Sequence, residues 1–196
     1  MRNLWGGRRS AKWIAGVAGA VVLLVGTSGC AAEPAPAPTS SSSSSPTPAG
    51  PVFASDEEAL AAATEAYANY QAMADRIDSE GGREPERIAP YVSTTYLPTA
   101  IEDFTGFQEA NARSIGVTKF RVHEAQQLDY SDPEETSISV YICDDVSEVD
   151  VVDENGVSLV SESRNPITPF EVGFVLDETR SLVIGSRAVW EGTNFC

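Results

Sequence analysis

Thr136-Ser137-Ile138-Ser139-Val140-Tyr141-Ile142-Cys143 alternates residue by residue. Ile138, Val140 and Ile142 fall on one side, and Ser137, Ser139, Tyr141 and Cys143 on the other, the period of two that marks a β-strand. The second side carries an aromatic ring and a thiol, so both faces of the resulting sheet are expected to be used.

Strand patterns continue on either side of this stretch. Upstream, Lys119–Tyr130 places Phe120, Val122, Leu128 and Tyr130 on one face, and Ser131-Asp132-Pro133-Glu134 supplies a turn. Downstream, Val146–Val152 and Val157–Val160 flank Asp153-Glu154-Asn155-Gly156, which reads as a hairpin around a type I′ Asn-Gly turn. Phe170–Leu176 and Ser181–Trp190 follow as two more strands, joined by Asp177-Glu178-Thr179-Arg180.

Helices come before the strands. Ser55-Asp56-Glu57-Glu58 has the form of a capping box. Leu60, Ala63, Tyr67, Tyr70, Ala74 and Ile77 then recur at three- and four-residue steps until Gly81-Gly82, which predicts one long amphipathic helix. Pro85 suits the first position of a short helix through Ile88. Pro90 and Pro98 are expected to break Tyr91–Phe104 into one or two helical turns with irregular joints. Phe107–Ser114 is expected to form a further short helix, stopped by Gly116.

Helices followed by an antiparallel meander define an α+β domain. A long N-terminal helix packed with short helices across a curved antiparallel sheet resembles the cone-shaped NTF2-like fold. Tyr141-Ile142-Cys143-Asp144-Asp145-Val146-Ser147, Val151-Val152-Asp153-Glu154-Asn155-Gly156 and Trp190-Glu191-Gly192-Thr193-Asn194-Phe195-Cys196 make the domain similar to small secreted lipoproteins of high-GC Gram-positive bacteria. That resemblance spans about 53–196 and implies a fold more than an activity.

The first thirty residues carry an address. Arg2, Arg8, Arg9 and Lys12 precede the apolar run Ile14–Val25, and Thr27-Ser28-Gly29 leads to Cys30. A basic head, a short apolar run and a small-residue exit make a secretory signal. The run falls short of the roughly 20 residues that a membrane span needs. Ser28-Gly29-Cys30 resembles a bacterial lipoprotein signal, although Thr27 stands where that family usually has Leu. The resemblance implies a signal peptide over 1–29 and acylation of Cys30 (a palmitate-type lipid anchor). The competing reading is an ordinary signal cut nearby, leaving Cys30 as a spare thiol. Arg8-Arg9 also resembles a twin-arginine export signal. Residues 30–52 then form the lipidated cysteine and a Pro/Ser/Ala-rich tether, with serines at every position from Ser40 to Ser45. Such composition cannot offset ordering entropy by apolar burial. Extended at about 3.1 Å per residue, the tether would reach roughly 65 Å from the membrane.

Charge and cysteines fit this reading. Of 13 Lys and Arg, the 4 before Cys30 leave with the signal, and 9 remain against 29 acids, a formal charge of −20. That surface repels phosphate backbones, so nucleic acid is not an expected partner. If lipid takes Cys30, Cys143 and Cys196 remain as an even pair in an oxidising compartment, where a bridge is expected. Two free thiols or a metal pair are the competing readings, but two cysteines with one distant histidine do not make a zinc set.

Chemistry-bearing residues are sparse. The resemblance to NTF2-like lyases and isomerases, which move a proton with a pocket His, Asp or Tyr, puts attention on His123 or a buried carboxylate. Tyr67, Tyr70, Tyr141 and Trp190 are candidate pocket walls. Asp150, Asp153, Glu154 and Asn155 suggest calcium, but the EF-hand register puts Val151 where the first carboxylate belongs. There is no Gly-x-Ser-x-Gly elbow, Walker loop, His-Glu-x-x-His or dinucleotide fingerprint. No catalytic set, metal or cofactor is therefore expected. The leading expectation is a lipid-anchored module on the outer face of the cytoplasmic membrane, binding an envelope protein or a small molecule. The alternatives are an NTF2-like lyase or isomerase and an accessory subunit of a membrane or cell-envelope complex.

Overall fold

The computed structural model describes residues 51–196; the expected signal segment, Cys30 and the expected tether up to residue 50 lie outside the described residues. Helix α1 runs Asp56–Ser79. Ser55 Oγ accepts the Glu58 N–H at 3.3 Å, and the Glu58 carboxylate accepts the Ala54 N–H at 2.7 Å. The reciprocal box thus closes one residue earlier than the usual pattern. At the other end the Gly82 N–H reaches back to Ile77 O at 2.9 Å, with Gly82 at φ +71°. A Cβ there would run into the Phe104 carbonyl. Only glycine both adopts that backbone and leaves that space.

The middle region is more regular than its prolines suggest. Pro85–Tyr91 is a single 3₁₀ helix that contains Pro90. Helix α2 is continuous over Leu97–Glu109, so the expected break between Phe104 and Phe107 does not occur. Pro98 lies in its first turn, where a missing N–H costs nothing and the fixed φ favours the helix. A separate helix over Phe107–Ser114 is likewise ruled out. Asn111 turns the chain at φ +49°, and Arg113–Ile115 becomes strand β1.

The remaining strands are β2 (Lys119–Asp129), β3 (Ser137–Asp145), β4 (Asp150–Val152), β5 (Ile167–Leu176) and β6 (Leu182–Val189). Strands β2-β3-β5-β6 form one antiparallel sheet in that order, and β1-β4 form a second, two-stranded one. The hairpin expected around Asn155-Gly156 is only a remnant. Val152 bridges Ser158, and the strand before the turn pairs with β1 instead. Nor is the turn type I′, since Gly156 has a positive φ and Asn155 does not. Asp153 Oδ1 accepts the N–H groups of Asn155 and Val157 at 2.9 and 2.8 Å, and this side-chain turn sets the geometry.

Helix α1 packs on β2, β3 and β6. Its buried face (Ala59, Ala63, Tyr67, Tyr70, Ala74 and Ile77) meets the inward residues Ile138, Val140, Ile142, Val172, Phe174 and Ile184. The alanines let the helix backbone approach the sheet, and each large buried aliphatic chain contributes roughly 1.5–3 kcal/mol. Register shifts at Val122/Glu124, Ala125/Gln127 and Gly173/Phe174 bend the strands around the helix.

Candidate functional site

Three elements converge on a cleft of about 270 Å³. Helix α1 supplies the neighbours Tyr70 and Gln71 and, seven and eight residues on and so two turns further along the same side, Asp78. Helix α2 adds Asp103, Phe104 and Phe107, and the sheet adds Phe170 from β5 and Arg187 from β6. A larger groove of about 500 Å³ runs past Ser79, Phe107 and Asp153. The smaller cleft is chemically the more distinctive. The buried side-chain polar atoms that lack a hydrogen-bond partner among the described residues are Gln71 Oε1 and Asp78 Oδ1, and both residues line it.

Beneath the cleft lies a closed polar network. The Tyr67 hydroxyl is 2.9 and 2.8 Å from the two Asp144 carboxylate oxygens. Arg187 Nη2 donates to Asp144 Oδ2 at 2.7 Å, and its Nε donates to the Tyr67 hydroxyl at 3.2 Å. The guanidinium also sits 3.5 Å over the Phe170 ring. Asp144 is only 3% exposed. Burial raises its carboxyl above the usual range, against the opposing pull of Arg187 and the Tyr67 hydrogen bond. Burial likewise raises the phenols of Tyr67 and Tyr70, which stay protonated.

Gln71 is oriented by its own neighbours. Its Nε2 donates to Asp75 Oδ1 at 3.2 Å, and Asp75 is held in turn by the Thr118 N–H at 3.0 Å and hydroxyl at 2.8 Å. With the amide nitrogen committed, Oε1 is left as the free end. Asp78 is pushed up to about 7, chiefly by burial and then by the charges of Asp75 and Asp103, with Arg187 opposing. Asp103 is raised for the same first reason, again against Arg187. The cleft therefore presents acceptors and acids over aromatic walls, with its one cation already engaged below.

The residues expected from sequence divide between two faces. Tyr70 lines the cleft, and Tyr67 lies in the network beneath it. Tyr141 and Trp190 are on the opposite face, where their rings pack 5.1 Å apart and Phe195 joins Tyr141 at 5.2 Å. They are not pocket walls. His123 also faces outward, exposed at the first bulge of β2 and stacked on Phe195 at 4.8 Å. A general base must reach the substrate proton, so His123 has no catalytic part in this cleft. The Cys143–Cys196 disulfide, whose Cα atoms are 5.7 Å apart, ties the segment that carries Phe195 to β3. Asp150 and Asp153 are engaged by local groups, Asp150 Oδ1 accepting from Ser158 Oγ at 2.6 Å. Among the described residues no group of three or more His, Cys, Asp or Glu is placed to hold a metal ion.

Asp144, Arg187, Gln71, Asp78 and Asp103 were not singled out from sequence. Asp144 carried a signal, because it is in phase with Ile138, Val140 and Ile142, and an inward acid demands a partner.

No family model matches this chain, and no curated protein matches it. Among solved structures, it is similar to the intermembrane space region of the chloroplast protein ARC6, at TM-score 0.49 and 10% identity, covering 68% of this chain and 97% of that one. A protein from Catenulispora acidiphila gives TM-score 0.45 and 14% identity over 67% and 92%. CagV, a VirB8 homolog from Helicobacter pylori, gives TM-score 0.32 and 10% identity over 67% and 95%. Likenesses this distant assign no activity. Among the described residues no helix is long and apolar enough to cross a membrane.

Proposed function

We propose that this chain is a lipid-anchored extracytoplasmic binding module. Cys30 carries the anchor, the Pro/Ser/Ala-rich tether gives reach, and an NTF2-like domain presents the α1–α2–sheet cleft to a small ligand. The observation that supports ligand binding is the pair of buried acceptors without donors, Gln71 Oε1 and Asp78 Oδ1, in one cleft. Leaving such groups unpaired costs about 1–3 kcal/mol each, which a ligand donor would recover. Native mass spectrometry of the full chain, purified from membranes of an exporting host, tests the reading. A stoichiometric small-molecule adduct that disappears in Gln71→Leu is expected. A bare chain that crosslinks only to envelope proteins would transfer the function to its surface. The anchor is tested separately: wild-type protein released from membranes without detergent as readily as Cys30→Ala would refute it.

A second reading is favoured by the Asp78 carboxyl near neutrality beside Tyr70 and Arg187. A carboxyl tuned to about 7 suits proton transfer next to a carbonyl. Under this reading the bound molecule exchanges a carbon-bound hydrogen for deuterium in D2O and gains mass, and Asp78→Asn abolishes that exchange.

A further inference from the structure

The geometry points to a small organic ammonium ion with an apolar body as the ligand class of this cleft; this rests on the small-ligand reading above and goes one step further.

Acceptors define the polar end. Gln71 is 9% exposed, and its Oε1 has no donor because its amide nitrogen is already held by Asp75. Asp78 Oδ1 is likewise buried without a partner. Asp103 adds a second carboxyl from α2. Gln71 and Asp78 stand about 10 Å apart along α1, so the ligand's donors divide between them. The end that meets the Asp78 and Asp103 carboxyls must bring more than one N–H or O–H donor, as an ammonium group does with three.

Charge selects among donors. Arg187 lines the same cleft, but its guanidinium is committed to Asp144, to the Tyr67 hydroxyl and to the Phe170 ring. Asp144 is the direct partner of that charge; Arg187 acts on Asp78 and Asp103 only at longer range, and neither acid has an ion-pair partner among the described residues. An anionic ligand would bring a further negative charge beside them. A neutral ligand would bring donors but no charge to pair with the acids. A cation supplies what is lacking.

The walls define the other end. Tyr70, Phe104, Phe107 and Phe170 surround the acids with aromatic surface. Aromatic surface of this kind attracts an ammonium and shelters an aliphatic or aromatic body, one face of Phe170 being already held by Arg187. A volume of about 270 Å³ accommodates an amine of this kind but not a polymer.

Isothermal titration of the full chain with phenethylammonium, phenethyl alcohol and hydrocinnamate tests the assignment. These probes share one body and differ in the charge of the head. Phenethylammonium is expected to bind about tenfold or more tighter than either of the others. Asp78→Asn and Asp103→Asn should each weaken it about tenfold while leaving phenethyl alcohol little changed. His123→Ala, on the other face, should bind all three as wild type does. Both carboxamide variants remove a charge without removing volume, so retained thermal unfolding separates lost binding from lost folding. Equal binding of alcohol and ammonium, or preference for hydrocinnamate, overturns the ammonium assignment while the small-ligand reading stands. Failure of all three probes to bind overturns it as well, and the small-ligand reading falls with it only if the native mass spectrum is bare.

Discussion

Arg187 Nη2 lies 2.7 Å from Asp144 Oδ2, and Tyr67 joins the two through its hydroxyl. A helix, a central strand and an edge strand are thereby tied together by one buried polar knot. Removing one partner strands the other's charge in the interior, which typically costs 3–5 kcal/mol. Arg187→Met is therefore expected to lower unfolding free energy by about that much in urea titrations. The double variant Arg187→Met/Asp144→Leu should recover most of the loss, because an apolar pair carries no stranded charge. Tyr67→Phe should cost about 1–3 kcal/mol. A double variant no better than the single would show that the ion pair itself, rather than its desolvation, dominates.

Asp78 makes stability fall with pH. Its carboxyl titrates near 7 in the folded chain, against an ordinary value of 3.8. Between those values the folded state holds the proton more strongly, so stability is greatest below about 4 and declines as pH rises through 7. The displacement corresponds to at most ~4 kcal/mol, an upper value because the cleft is open to water. Asp78→Asn stays neutral throughout. Denaturation at pH 5 and pH 8 should show the variant's advantage growing with pH. An advantage that is constant, or larger at pH 5, would mean that Asp78 is not held protonated.

How this site relates to the sequence comes down to two strands. In β3 the alternation through Ile138, Val140 and Ile142 runs unbroken, and Asp144 follows it inward. In β6 the same counting from Ile184 would turn Arg187 outward. The shift at Gly173/Phe174 sets Phe174 opposite Ile184 but Val172 opposite Arg187, so one extra residue reverses the face. A bulge has no reliable mark in a single sequence, and the cleft's cation was hidden for that reason. His123 too lies at a bulge, the first of β2, where counting along the strand does not fix the face. Periodicity did reveal α1, because apolar spacing, capping residues and a terminal glycine all pointed to one helix. It missed the length of α2, where Pro98 begins a helix rather than ending one.

Cys143 and Cys196 close a loop with a sequence separation of 53. The chain-entropy estimate for a loop of that size is about 4 kcal/mol. The bridge also holds the C-terminal residues against the sheet, where Phe195 meets Tyr141 and His123. Cys143→Ala/Cys196→Ala is expected to lose roughly 3–4 kcal/mol in denaturant titrations. Reductant should destabilise the wild type and leave the variant unmoved. Identical responses in both proteins would exclude a structural bridge.

Gly82 couples the end of α1 to α2. Its φ of +71° disfavours any side chain, and an added Cβ would meet the Phe104 carbonyl. The Gln108 side-chain amide also donates to the Gly82 carbonyl, so the turn is fixed from both sides. Gly82→Ala therefore combines left-handed backbone strain of about 1–3 kcal/mol with displacement of α2, which carries Asp103, Phe104 and Phe107 of the cleft. Gly156→Ala shares the positive φ but has open space around its Cβ, so it isolates the backbone cost. Gly82→Ala is expected to lower the thermal midpoint further than Gly156→Ala. It should also weaken phenethylammonium binding, which Gly156→Ala should leave unchanged. Equal thermal losses in the two variants would show that the contact with α2 contributes nothing beyond strain.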